Sequence, residues 1–285
     1  MNPAVRTLYR ALAGALLCAA GLCAQPPQGG RGGPFGSSPA NQLDLDGKGA
    51  QARELFQKSI DSAATPRAKA DADRAMAMSW AFEGNCAKTG EYEQKVIDYW
   101  AAQETADPAN AFYQEGEIAD EAARVCIDAG DLASAGAWYK KGHDLGLREP
   151  HISADRQALW EYRYDHALAR LAARRGDRAE AQKYVAAAQA SLEKMTALRA
   201  QQQAFLPYLT GYVAFYLGDY QAALADLQKA NQNDPFIQCL IGMTYEKLGD
   251  QDKAMESYRK AYAAARAHNP PAAFARPFAR KKLGL

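Results

Sequence analysis

The sequence is short of the features that announce a chemistry. It holds no CxxC pair, no GxSxG elbow, no HExxH and no phosphate-cradling glycine loop, so the common signatures of zinc, serine-hydrolase, metalloprotease and nucleotide sites are missing. Its four histidines, His143, His151, His166 and His268, do not stand at zinc-ligand spacing from any cysteine, and neither a metal nor a cofactor is expected. Neither sign of charge dominates: 34 Lys+Arg face 33 Asp+Glu, a net +1, which leaves no concentrated basic footprint for nucleic acid. Proline and glycine number only 13 and 22 in 285 residues, which excludes collagen-like and wholly disordered chains. Strand-like alternation is missing throughout, and a long apolar run occurs only at the start.

That start reads as an address. Arg6 and Arg10 precede an apolar run, Ala11 to Leu22, of secretory length, and Ala24 before Gln25 offers a cleavage point. Residues 1–24 are therefore expected to be a signal peptide and the mature protein to be periplasmic or secreted, soluble once the signal is removed. Leu17 precedes Cys18 and Leu22 precedes Cys23, where a lipid-acceptor cysteine needs a small residue, so no lipid anchor is expected. Residues 25–45 open with QPPQGGRGGPFGSSPA, which has almost nothing to bury and reads as a flexible spacer. Cys86, Cys126 and Cys239 remain after cleavage; three thiols allow at most one bridge.

What the rest of the chain does have is self-similarity. A Gly-acid turn recurs at Gly90-Glu91, Gly130-Asp131, Gly176-Asp177, Gly218-Asp219 and Gly249-Asp250. Small residues hold fixed offsets around these turns, such as Ala135, Ala181, Ala223 and Ala254 five positions after the glycine. A bulky apolar residue follows nine after it, as at Tyr139, Val185, Leu227 and Tyr258. Small side chains at fixed offsets let two helices approach closely, and a glycine ends the first helix in a left-handed cap. The pattern resembles the tetratricopeptide repeat family. The fourth unit carries the resemblance best through Gly211, Gly218, Tyr220, Ala223, Leu227, Ala230 and Pro235, and a half-unit with Gly47, Ala52 and Phe56 precedes the first. The resemblance implies an all-α fold: an α-solenoid of about five helix-turn-helix units over residues 46–285, ending in a capping helix that bears Phe274, Phe278 and a basic run, Arg280 to Lys282.

The family likeness also implies a function, a non-enzymatic scaffold that holds a protein or peptide in a concave groove lined by the first helix of each unit. Counting back from the turn glycines puts Arg124, Arg163, His166, Arg170 and Arg174 on that wall, followed by Tyr208, Tyr212, Phe215 and Tyr216. The arginines would pair with acidic groups or a chain terminus, and the aromatics would supply rigid contact area, although such a stripe can equally be core. The Asn positions of the family's dicarboxylate clamp are missing. Two alternatives stand beside the scaffold. One is an enzyme or regulatory arm using the run Trp160-Glu161-Tyr162-Arg163-Tyr164-Asp165-His166, in which Glu161 and Asp165 share one helical face and Tyr162 and His166 another. The other is an envelope protein that binds a glycan or small ligand on stacked tyrosines. Cys86 and Cys126, each four residues before a turn glycine, are candidates for a disulfide between successive first helices, with two buried free thiols as the competing account.

Overall fold

A computed structural model describes residues 38–285; the expected signal peptide and most of the expected spacer lie outside the described residues. Helix begins earlier than the composition suggests, at α1 (Pro39–Leu45), so the last part of the expected 25–45 spacer belongs to the fold. The Ser38 side chain caps the Asn41 amide, Pro39 supplies a preset φ in the first turn, and Ala40 and Leu45 are buried. This helix is the missing first half of the half-unit, cut to seven residues.

From there the chain is all helix among the described residues. It runs as α2 (Gly49–Asp61), α3 (Pro66–Ala81), α4 (Cys86–Ala101), α5 (Pro108–Ala129), α6 (Leu132–Gly146), α7 (Ala154–Arg174) and α8 (Arg178–Glu193). It continues through α9 (Arg199–Gln203), α10 (Leu206–Tyr216), α11 (Tyr220–Leu227), α12 (Pro235–Leu248), α13 (Gln251–Ala264) and α14 (Pro270–Leu283). Consecutive helices pack as hairpins, α3 on α4, α5 on α6, α7 on α8, α10 on α11 and α12 on α13, and each hairpin leans on the next. The fold is an α-solenoid of helix pairs. Polar caps start almost every helix: the carboxylates of Asp107, Asp131, Asp177 and Asp250 each accept from the backbone amide three residues on.

Four of the five expected turns hold their glycine at positive φ: Gly130, Gly176, Gly218 and Gly249. The first does not. Gly90 lies inside α4, where an added Cβ would sit 3.0 Å from the Trp138 ring, and the turn is made by Gly84 at φ +66° with Asn85 capping α4. Helices also approach closely at Gly242, where a Cβ would come within 2.5 Å of the Tyr258 ring.

The two ends of the solenoid meet. Helix α14 packs on α12 and α13 as a cap should, and also reaches α3 and α5. Ala272, Ala273, Ala275 and Ala279 are buried with Leu45, Met78, Phe82, Val125 and Tyr258 in one cluster. Arg276 Nε donates to the Leu45 carbonyl at 3.0 Å and Arg280 Nη1 to the Asp46 carbonyl at 2.5 Å. Just before α14, His268 Nε2 lies 2.9 Å from Asp44 Oδ2, with both side chains buried and the imidazole against Phe56 and Phe82. Thus α14 closes the domain rather than only covering its last hairpin.

Candidate functional site

The first helices of the units, α5, α7, α10 and α12, turn a row of polar and aromatic side chains toward one another. Arg124 of α5 pairs with Asp128 at 3.1 Å and stacks 4.2 Å above the Phe236 ring of α12. Arg163 of α7 pairs with Glu117 of α5. Between them Asp120 is pushed up to about 7, chiefly by burial, against the opposing pull of Arg163 and Arg170. Arg170 is 6% exposed; its Nη2 donates to the Tyr139 hydroxyl at 2.9 Å and its Nη1 to the Tyr208 hydroxyl at 3.4 Å. Arg174, one turn on, sends one Nη1 to both the Tyr212 and Tyr216 hydroxyls at 3.4 Å.

Seven of the nine expected wall residues, Arg124, His166, Arg170, Arg174, Tyr208, Tyr212 and Tyr216, come together in one cluster, bridged by tilted and edge-on aromatic contacts. The cluster is not the open trench the resemblance implies. Tyr208, Tyr212 and Phe236 are buried, because the first helices close until Arg124 of α5 spans to α10 and α12. Arg163 stands apart with Glu117, and buried Phe215 packs with Tyr220 in the apolar core. The half-buried residues of the wall are Arg124, Arg163, Arg174 and Tyr216, and of the three arginines only Arg174 holds no carboxylate among the described residues.

Charge compensation divides the arginines. Arg124 and Arg163 each hold a carboxylate, whereas among the described residues Arg170 and Arg174 have none within 4 Å and rest on four phenol oxygens and, for Arg170, the His166 carbonyl. Asp128 feels the charge of both, and it already accepts from Arg124. Burial raises the Tyr212 and Tyr216 hydroxyls above their ordinary range, so both stay neutral, and Tyr139 is pushed up to about 12 for the same reason. Tyr139 was legible only as a core filler nine residues after its glycine. The hydroxyl itself was no signal of a polar role, since Tyr258 holds the same offset in unit five and its buried hydroxyl has no partner among the described residues.

The run around His166 splits onto separate faces. His166 is buried, and its pKa is held well below the ordinary value by burial, then by Arg170 and Arg124; its ring packs against Tyr162 and Tyr208. Glu161 and Asp165 face elsewhere, toward His143 and Ser191. A neutral, enclosed imidazole separated from both acids is not arranged for acid–base exchange. The stacked-tyrosine platform imagined for a sugar is likewise enclosed.

Cys86 and Cys126 are joined by a disulfide with Cα atoms 4.6 Å apart. With the first turn at Gly84, Cys86 is the first residue of α4, so the bridge ties the second helix of one unit to the first helix of the next. The two cysteines do not hold the equivalent places expected of them. Cys239 is free and buried, its thiol raised by burial.

Geometry of this kind defines a class, the helix-pair solenoid. Within it, residues 237–268, which cover most of α12 and all of α13, match the family model of the tetratricopeptide repeat. That segment is similar to a repeat of the family, whose members typically serve as non-enzymatic protein-interaction scaffolds. A search of curated proteins finds no match.

Proposed function

We propose that this protein is an exported scaffold that binds an acidic segment of a protein partner at the edge of the inner wall, on Arg174 and Tyr216. One observation carries the reading: among the described residues Arg170 and Arg174 have no carboxylate within 4 Å and are held by phenol hydroxyls, with the His166 carbonyl as a further acceptor for Arg170. A guanidinium gains more from a charged acceptor than from a neutral one, and Arg174 is half open to receive it. Arg170 lies behind and fixes Tyr139 and Tyr208, while Tyr212 joins Arg174 to the core. A partner carboxylate would replace the long phenol contacts of Arg174, with Tyr216 as flat contact area beside it.

Export is supported by the Cys86–Cys126 disulfide, since such bonds persist in oxidising compartments, together with the N-terminal run over residues 1–24. Fluorescence anisotropy with a labelled Glu-rich hexapeptide tests the wall. Arg174→Glu should weaken binding roughly tenfold or more, as expected for one lost charge-assisted contact, with the circular dichroism spectrum unchanged. Equal affinity for the peptide and for its Gln-substituted counterpart would remove the wall from consideration.

A further inference from the structure

A second concave place lies on another face of α7, independent of the wall. Between α7 and α8 runs a cleft of about 470 Å³, within the size range of small-molecule sites. It has room because Ala187 and Ala190 of α8 put nothing beyond a methyl group into it. One side carries Glu161 and Asp165, one turn apart on α7; the other carries Ser191 and Lys194 at the end of α8.

Charges of opposite sign line this cleft without meeting. Asp165 accepts from the Ser191 hydroxyl at 3.2 Å and has no cation within 4 Å among the described residues. Among the described residues Glu161 has only His143, whose Nε2 stands 3.4 Å away. Lys194 has no carboxylate within 4 Å among the described residues, although it faces the same space. Burial, undercompensated by any partner, raises Asp165 above the ordinary carboxylate range. What would complete both sides at once is a molecule that brings a cation to α7 and an anion to Lys194.

We infer that the α7–α8 cleft binds a small zwitterion of dipeptide size, its ammonium between Glu161 and Asp165 and its carboxylate on Lys194. The short side chains of such a ligand lie on Ala187 and Ala190. Calorimetric titration of the full described chain with L-alanyl-L-alanine tests this, with the N-acetylated and the amidated dipeptide as probes that each lack one charge. Binding of the free dipeptide, loss with either blocked form, and roughly tenfold weakening in Asp165→Asn and in Lys194→Gln are the expected results. Ala187→Leu, which fills the cleft without touching a charge, should abolish binding while leaving the hexapeptide affinity at Arg174 unchanged. Capture of free L-alanine with the same dependence on both charges supports a zwitterion site of smaller size. No heat with either ligand, or an affinity that survives blocking of one end, overturns the inference.

Discussion

Glu93 is the side chain that fits its surroundings least well. It sits on α4 at 0% exposure, and neither carboxylate oxygen has a hydrogen-bond partner among the described residues. Burial raises its pKa well above the ordinary 4.5, the Glu121 carboxylate adds to that, and Arg74 opposes it only partly because Arg74 is committed to Glu121. A carboxyl whose folded pKa is raised holds its proton in the native state after the unfolded chain has released it. Stability is therefore greatest at or below pH 4.5 as far as Glu93 is concerned, falls as pH rises toward the folded value, and stays lower above it. Glu115 and Asp120, each pushed up to about 7 chiefly by burial, act with the same sign. Glu93→Gln should be more stable than the parent at pH 8 and show a shallower decline from pH 5 to 8, read as urea midpoints. A variant less stable than the parent at pH 8, with the decline from pH 5 to 8 unchanged, would mean that Glu93 is ionised and paired. Nothing in the sequence marks this residue. It occupies an ordinary helical position, and its enclosure comes from how closely the neighbouring helices α3 and α5 dock on α4, which spacing alone does not reveal.

At the scale of elements the repeats were legible wherever a backbone requirement fixed the residue. Gly130, Gly176, Gly218 and Gly249 adopt positive φ, which an L side chain resists, so their identity reports the turn directly. Gly90 misled because Gly-Glu-Tyr mimics the Gly-Asp-Tyr of a later turn, while the informative pair, Gly84 and the capping Asn85, has no acid after the glycine. The nine wall residues could be placed on a shared face by spacing, but their burial could not. That depends on how far the first helices close, which is decided by contacts such as Arg124 over Phe236. The disulfide pins α4 to α5 across a separation of 40 residues. Loop-closure entropy for a span of that length corresponds to about 3–4 kcal/mol of stability. Cys86→Ala with Cys126→Ala should lose an amount of this order in equilibrium urea unfolding, and the oxidised parent treated with reductant should match it. A double variant as stable as the parent would mean that neighbouring packing alone fixes the α4–α5 hairpin contact.

The whole molecule departs most from what spacing implies. An open solenoid is held by neighbour contacts only, so its ends can fray independently. Here Asp44 and His268, 224 positions apart, share a buried contact, and Ser79 donates to the same carboxylate at 2.8 Å. Replacing His268 by alanine leaves a buried acid with one partner fewer, at a cost of about 2–4 kcal/mol. Hydrogen exchange should then quicken in α1, α2 and α14 together while α7 and α8 keep their protection; faster exchange in α14 alone would mean that the two termini are not coupled. The likeness to a tandem repeat pointed to a terminal cap in AAFARPFARKKLGL, but not to its second task of reaching α3 and α5, since no local pattern encodes a contact with the other end of the chain. A seam of this kind also fixes the perimeter. One more hairpin inserted between α8 and α10, or one removed, would carry the imidazole away from the carboxylate it must reach, so the number of units cannot drift by tandem duplication as it can in an unclosed array.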